Sequence, residues 1–442
     1  MTRVENRDTL ARSEAHETVL ESLLAGIEAS NPSQVIESTV TVTGNELTIG
    51  TDQYDLSTYR ELIVLGGGNA ASQVAGALEA ELGDRIDGGI IVTDDPVETE
   101  RVTVLPGDHP VPSERGVDST RQLLDRATAA DEDTLILGVI TGGGSALMPA
   151  PADGIDLRAL IETTDELLHS GAPIREINAV RKHLSELKGG QLAAKAAPAT
   201  TVSLVLSDVV GNHLDVIASG PLVPDPTTFE DAQAVIDRFD LTVPEPVRER
   251  IQAGVDGILE DTPKPGDPVF EQVGTHVIAD GMTAIEAAAA VIEDAGYEPL
   301  VLSSMVEGEA SEAAKTHAAI ANEIRATGTP IKPPAAVLSG GETTVTVESG
   351  GSGGPNQEFA LSAGLSIDGS TIVGAVDSDG IDGASDAAGA LVDLTDIDRP
   401  AAQAALDAND SGAYLTERDR VVLTGQTGTN VNDIRVLLVP DE

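Results

Sequence analysis

Two hydrophobic rhythms alternate along this chain. Short, nearly continuous apolar runs predict buried strands at 61–65, 90–93, 102–105, 135–140 and 201–206. Between them, apolar residues step by three and four, which predicts helices over 8–30, 70–82, 114–129, 156–170, 174–196 and 229–239. The stretch 241–268 is proline-rich with one short helix, and is read as a domain junction. The alternation then restarts. Strands are expected at 276–278, 299–302, 335–338, 343–347, 371–376, 421–424 and 435–439, with helices over 281–294 and 308–326 and another beginning near Glu358. A glycine-rich turn is expected from Glu348 to Gly354. Strand followed by helix, repeated twice, is the grammar of an α/β protein. The expected division is 1–255 and 270–442, with a C-terminal core over about 335–437.

Two predicted strands run straight into glycine loops, Gly66-Gly67-Gly68-Asn69-Ala70 and Thr141-Gly142-Gly143-Gly144-Ser145. Open α/β sheets take their ligands at the carboxyl ends of strands. The first loop has two readings, a dinucleotide turn or a plain tight turn, because Ala71 stands where a G-x-G-x-x-G motif needs its third glycine. No Gly-Lys-Ser/Thr of a Walker loop occurs.

Charge sharpens the picture. The 442 residues hold 74 acidic and 26 basic side chains, a formal net charge of −48. That balance argues against nucleic acid and anionic membranes as partners. With 40% hydrophobic residues and intact periodicity the chain reads as folded, and the charge suggests a salt-rich cytoplasm. Cysteine is absent, which excludes disulfides and thiol chemistry. No apolar run is long enough to span a bilayer and the first 20 residues are polar, so the expected location is cytoplasmic.

Only six lysines occur, and Lys182, Lys188 and Lys195 fall within 174–195 beside Arg175, Arg181 and His183. In that stretch Ile177, Val180, Leu184, Leu187 and Gln191 form one stripe, and Arg181, Ser185 and Lys188 form a neighbouring one that can face a cleft. It is either a solvated amphipathic helix or the anion-holding element of the chain. Asp377, Asp379, Asp382, Asp386 and Asp393 crowd another strand end, either as solvated surface or as holders of Mg²⁺ shared with phosphates. His109 is a general base or, more simply, a structural histidine between Asp108 and Pro110. Glycine loops, cations and carboxylates together point to phosphoryl transfer between anions.

The order of motifs resembles the glycerate 2-kinase family, the MOFRL-domain proteins also labelled hydroxypyruvate reductases. The match rests on D-H-P-V-P at 108–112, T-G-G-G-S-A-L at 141–147, I-N-A-V-R-K-H-L-S-E-L-K-G-G-Q-L-A at 177–193, L-S-D-V-V-G-N at 206–212 and I-A-S-G-P at 217–221. S-G-G-E-T-T-V at 339–345, N-Q-E at 356–358, D-S-D-G-I-D-G at 377–383 and T-G-Q-T-G-T-N-V-N-D at 424–433 complete it. The resemblance implies two Rossmann-like α/β domains with an active site in the cleft between them. It implies transfer of the ATP γ-phosphoryl group to D-glycerate with Mg²⁺, giving 2-phosphoglycerate.

Carried over by motif, Arg181, Lys182, Lys188, Asp208 and Asn69 become catalytic candidates. Gly67, Gly68, Gly142, Gly143, Gly144, Ser145, His183, Ser219, Glu342, Asn356, Gln357, Glu358, Thr429 and Asn430 become substrate and nucleotide candidates. Asp377, Asp379 and Asp382 become metal candidates. Asn69 and Pro355 depart from the family pattern, which has lysine and arginine there; losing both would cost several kcal/mol of barrier unless Arg181, Lys182 and Lys188 cover the loss. Partners are the small acid and a nucleotide, with a homodimer one candidate assembly. Two rival readings stay open, an NAD(P)H-dependent hydroxypyruvate reductase and a catalytically degenerate glycerate- or ATP-binding protein.

Overall fold

The computed structural model describes residues 2–347 and 350–441, so Glu348 and Ser349, which open the expected glycine-rich turn, lie outside the described residues. The chain divides into two compact units, Val35–Ile278 and Met1–Gln34 with Ala279–Glu442.

The unit of 35–278 begins with a small antiparallel meander of β1 (Val40–Thr43), β2 (Glu46–Ile49) and β3 (Asp52–Asp55). Its first turn uses Gly44-Asn45, with Gly44 at φ 64°, as a two-residue hairpin requires. These strands escaped the apolar pattern because they are polar on one face and only four residues long.

Next comes a six-stranded sheet of β4 (Glu61–Gly67), β5 (Gly88–Thr93), β6 (Thr103–Pro106), β7 (Thr134–Ile140), β8 (Thr200–Leu206) and β9 (Val273–Ala279), in the order β6-β5-β4-β7-β8-β9. The five strands from β4 to β8 are mutually parallel. All seven residues of β7 are buried, as a strand covered on both faces must be. From β4 the chain moves outward through β5 to β6, then returns to lay β7 on the other side of β4. Strand order therefore reverses between β4 and β7, and their carboxyl ends frame a crevice there.

The long helix expected over 174–196 is broken. Ile174–His183 and Gln191–Ala196 are helical, and the intervening backbone is tied elsewhere. Glu186 N–H donates to Ala150 O at 2.8 Å, Gly189 N–H to Ser219 O at 2.9 Å and Gly190 N–H to Gly220 O at 2.8 Å. Gln191 Nε2 satisfies the carbonyls of Ser185 (2.5 Å) and Lys188 (3.1 Å) that the break frees.

The second unit joins the N-terminus to the C-terminal half. Helix Glu14–Ala29 buries Val19, Leu20, Leu23 and Ile27, and packs on helix Gly281–Asp294 and the sheet beneath. Its Ser22 Oγ donates to Ala288 O at 3.0 Å. The expected boundary within 241–268 thus moves to 278/279, and the first 34 residues belong with the C-terminal unit.

That unit's sheet contains β10 (Glu298–Glu309), β11 (Ala335–Thr344), β12 (Ile372–Asp377), β13 (Gly389–Asp393), β14 (Val421–Val422) and β15 (Asp433–Val439), in the order β10-β11-β15-β12-β13-β14. Only β10 and β11 pair in parallel; the final strand inserts antiparallel between β11 and β12. The fold is α/β in both units, but this sheet is mixed. Ser339-Gly340-Gly341-Glu342, expected as a loop between two strands, lies inside β11. A Cβ on Gly341 (φ 123°) would stand 2.3 Å from the backbone of Val306, so glycine is what lets β10 lie alongside.

Candidate active site

The crevice at the β4/β7 reversal is lined by both glycine loops. Asn69 N–H donates to Gly142 O at 2.9 Å, and Thr141 N–H to Gly67 O at 3.3 Å, so the loops interlock. A Cβ on Gly143, which sits at φ 74°, would lie 1.6 Å from Asn69 Oδ1, and one on Gly142 would lie 1.8 Å from Asp208 Oδ2. The exposed Asn69, from the end of β4, and Asp208, from the end of β8, therefore flank the Gly142-Gly143 turn from two sides. The glycines are required because side chains already occupy the space. Helix Ala71–Leu82 follows the first loop with no side chain capping its start.

Asp208 keeps some solvent area, yet its carboxylate lies against Gly142, and this enclosure raises its pKa to about 6. Lys188 is buried; its ammonium donates to Met148 O at 3.3 Å. Burial, with the nearby Arg181 guanidinium adding to it, lowers the Lys188 pKa to about 7. The Arg181 guanidinium makes no hydrogen bond or ion pair among the described residues, and desolvation lowers its pKa too. A half-buried guanidinium given no counter-ion by the protein is placed to receive an anion.

The second glycine loop ends at Ser145, whose Oγ lies 2.5 Å from Ser219 Oγ. Ser219 donates to Asn178 Oδ1 at 3.1 Å, while Asn178 Nδ2 is buried with no partner. Asn178 was not among the sequence candidates. It stands three residues before Arg181 on the same helical stripe, and a polar residue at that position was the signal to follow.

Two other candidates from the cationic stretch, Lys182 and His183, are tied elsewhere. Lys182 is buried against Asp225 at 3.2 Å and Asp215 at 3.6 Å. His183 bonds Ala179 O at 2.6 Å and Asp261 Oδ1 at 2.7 Å. Both are committed to holding the helix on the segment 215–261, and the Lys182 charge is spent on carboxylates inside the unit. His109 is exposed on the loop after β6.

In the second unit, the Asp382 carboxylate is engaged by backbone amides. Its Oδ1 accepts from Asn356 N–H at 2.9 Å and its Oδ2 from Gln357 N–H at 2.8 Å, which caps helix Pro355–Ser366. Burial still raises its pKa to about 6. Asn356 Nδ2 donates to Asp433 Oδ1 at 2.6 Å and Gln357 Nε2 to Ser385 Oγ at 2.7 Å, while Asn356 Oδ1 is buried with no partner among the described residues. Pro355 is the first residue of that helix, where its fixed φ suits the start. Glu358 is buried and Glu342 is exposed on β11. Thr429 Oγ1 donates to Ser30 O at 2.6 Å, and Asn430 Oδ1 accepts from Asn432 N–H at 2.9 Å.

Asp377 and Asp379 remain. Desolvation, with the charges of Asp379 and Asp433 adding to it, drives the Asp377 pKa well up, and desolvation raises that of Asp379. Asp433 is neutralised by the buried Arg435, whose Nη2 also donates to Thr343 Oγ1 at 2.9 Å. Among the described residues no set of three or more histidines and carboxylates converges as a ready metal cage.

Two family models match: "Domain of unknown function (DUF4147)" over residues 18–252 and the MOFRL family over 335–433. The chain is 38% identical over 424 residues to a glycerate 2-kinase of Pyrococcus horikoshii, covering 93% of this chain and 94% of that one. It is 40% identical over 388 residues to a putative hydroxypyruvate reductase of Agrobacterium vitis, covering 85% and 87%. The crystal structure of a glycerate kinase from Thermotoga maritima superposes with a TM-score of 0.85 at 35% identity, covering 96% of this chain and 99% of that one.

Proposed function

Because the chain belongs to the glycerate 2-kinase family, we propose that it transfers the γ-phosphoryl group of ATP to the 2-hydroxyl of D-glycerate. The observation that carries the chemistry is the unpartnered Arg181 beside the buried Lys188, at a strand-order reversal lined by two interlocked glycine loops. In this reading Arg181 and Lys188 hold and neutralise the anions, while the glycine turn lets phosphate oxygens approach the backbone. Asp208 takes the proton of the 2-hydroxyl. The new bond forms from that oxygen to the γ-phosphorus as the bond to the β,γ-bridging oxygen breaks.

Mg²⁺ suits the donor set of the second unit. Asp377 and Asp379 are two adjacent half-buried carboxylates, each with its pKa raised by desolvation, and Mg²⁺ is commonly held by one or two carboxylates plus phosphate oxygens. Bound there, the ion would neutralise charge on the nucleotide phosphates. Asp382 and Asp433 are occupied by the helix cap and by Arg435.

Asn69 and Pro355 replace family cations, and Arg181 with Lys188 supplies the positive charge instead. The reductase reading is supported by the name of the Agrobacterium vitis relative, whereas the loop at 66–71 lacks its third glycine. The test is direct. Purified protein in molar KCl with D-glycerate and MgATP is expected to give ADP and 2-phosphoglycerate by phosphorus NMR. No ADP above background with glycerate, hydroxypyruvate or tartronate semialdehyde would overturn the reading, and NADH consumption with hydroxypyruvate would favour its rival.

A further inference from the structure

The hydroxyl chain beside Arg181 has a direction. Asn178 Oδ1 can only accept, so the 3.1 Å contact uses the single proton of Ser219. In the 2.5 Å contact Ser145 must then be the donor, and its own proton is spent on Ser219. Ser145, which is part-exposed, therefore offers only lone pairs to whatever lies above it. Asn178 Nδ2 is the opposite case, a donor in a side chain only 2% exposed with nothing to receive it. An orphan of that kind carries the desolvation penalty of an unmade hydrogen bond unless a ligand meets it.

The backbone is bent to make this arrangement. Ala218 (φ 50°) and Ser219 (φ 61°) are non-glycine residues in the left-handed region, followed by Gly220 (φ 63°). The turn is clamped by the Gly189 and Gly190 amides donating to Ser219 O and Gly220 O. Strain at Ala218 and Ser219 is what aims the Ser219 hydroxyl between Ser145 and Asn178.

Resting on the kinase reading above, we infer that this corner recognises a 2,3-dihydroxy acid: Asn178 Nδ2 and Arg181 donate to the carboxylate, and Ser145 Oγ accepts from the hydroxyl that is not phosphorylated. The reacting hydroxyl must lose its proton. The Ser145 chain ends on an amide oxygen that cannot take one, so it holds a hydroxyl that keeps its proton, the 3-hydroxyl of glycerate. Ser145 would thereby set both the preference for glycerate and the choice of the 2-position.

Calorimetric titration of D-glycerate and D-lactate, which lacks the 3-hydroxyl, tests this without nucleotide, in molar KCl. Wild type is expected to prefer D-glycerate by roughly 10-fold or more, and Ser145→Ala to reduce the preference below about 3-fold while leaving D-lactate affinity intact. Asn178→Asp keeps the acceptor for Ser219 but removes the donor; it should weaken both acids by roughly 10-fold or more and leave the KM for ATP unchanged. In turnover, Ser145→Ala should raise the share of 3-phosphoglycerate. The inference is overturned if neither acid binds, if Ser145→Ala weakens both acids equally or leaves the preference intact, or if Asn178→Asp acts on ATP alone. Wild type that binds both acids in the expected pattern yet forms no ADP would sink the kinase reading and leave this inference standing.

Discussion

Two groups of opposite charge, the enclosed Asp208 carboxylate and the buried Lys188 ammonium, set the pH dependence of this site. Asp208, raised to about 6, must be ionised to accept a proton, so activity should rise as pH climbs through that value. Lys188, lowered to about 7, must be charged to hold an anion, so activity should fall as pH passes it. The expected kcat/KM profile is a narrow bell between these limbs. Asp208→Asn should abolish most activity, and Lys188→Met should remove the alkaline limb from what remains; a flat profile from pH 5 to 9 would refute the assignment. Stability follows the opposite sign. A raised carboxyl pKa contributes stability that is present below pH 3.8 and lost as pH rises through about 6. Asp208→Asn is therefore expected to stabilise the fold at pH 8 by about 1–3 kcal/mol, a gain that vanishes near pH 4, read by urea unfolding. At this scale Arg181 and Lys188 were legible in the sequence because lysine is so scarce elsewhere. Lys182 and His183 misled, since the carboxylates that claim them, Asp225 and Asp261, lie 43 and 78 residues away and no local pattern reveals the pairing.

Elements decide which residues of a motif are available. The run Asp377 to Gly383 looks uniform in sequence, yet its carboxylates divide between a strand end and a helix cap. Asp382→Asn removes a charged acceptor from the first turn of helix Pro355–Ser366 and should cost about 0.5–2 kcal/mol with little change in Mg²⁺ requirement. Asp379→Asn relieves a repelling pair and should stabilise the fold while raising the Mg²⁺ concentration needed for half-maximal rate. If the two variants exchange these behaviours, the metal reading fails. The same logic explains why periodicity overran the break at 184–190. Leu184 and Leu187 continue the apolar stripe and are indeed fully buried, so the apolar pattern gave no sign of an interruption that is imposed by hydrogen bonds to Ala150, Ser219 and Gly220. Gly143→Ala provides a third test, because the new methyl must displace Asn69 and adopt φ 74°. It should cut kcat/KM at least as strongly as Asn69→Ala does, and equal activity to wild type would mean the interlocked loops are not part of the site.

At the scale of the molecule, the two α/β units and the ligand end of the first sheet were legible because long buried strands such as β7 leave an unambiguous signature. The capture of the first 34 residues by the C-terminal unit was not, since it depends on small-residue packing between distant segments, such as at Gly26, where an added Cβ would stand 2.8 Å from Ala284 O. Net charge acts at this scale as well. Even if every one of the 26 basic side chains were paired, 48 of the 74 acidic groups would face no cation of the chain. Surface ion pairs contribute little each, so they cannot offset repulsion summed over the whole surface. The Debye length falls from about 10 Å at 0.1 M salt to about 3 Å at 1 M, which confines that repulsion to nearest neighbours. Stability to urea should therefore climb steeply between 0.1 and 1 M KCl. Sucrose at matched osmolality separates the causes, because it strengthens burial by exclusion without screening charge. If repulsion governs, KCl stabilises far more than sucrose, and acidification toward pH 5 in low salt stabilises too, as carboxylates begin to neutralise. Equal stabilisation by the two solutes, or a urea midpoint indifferent to KCl, would show that this polyanion holds its fold without help from screening.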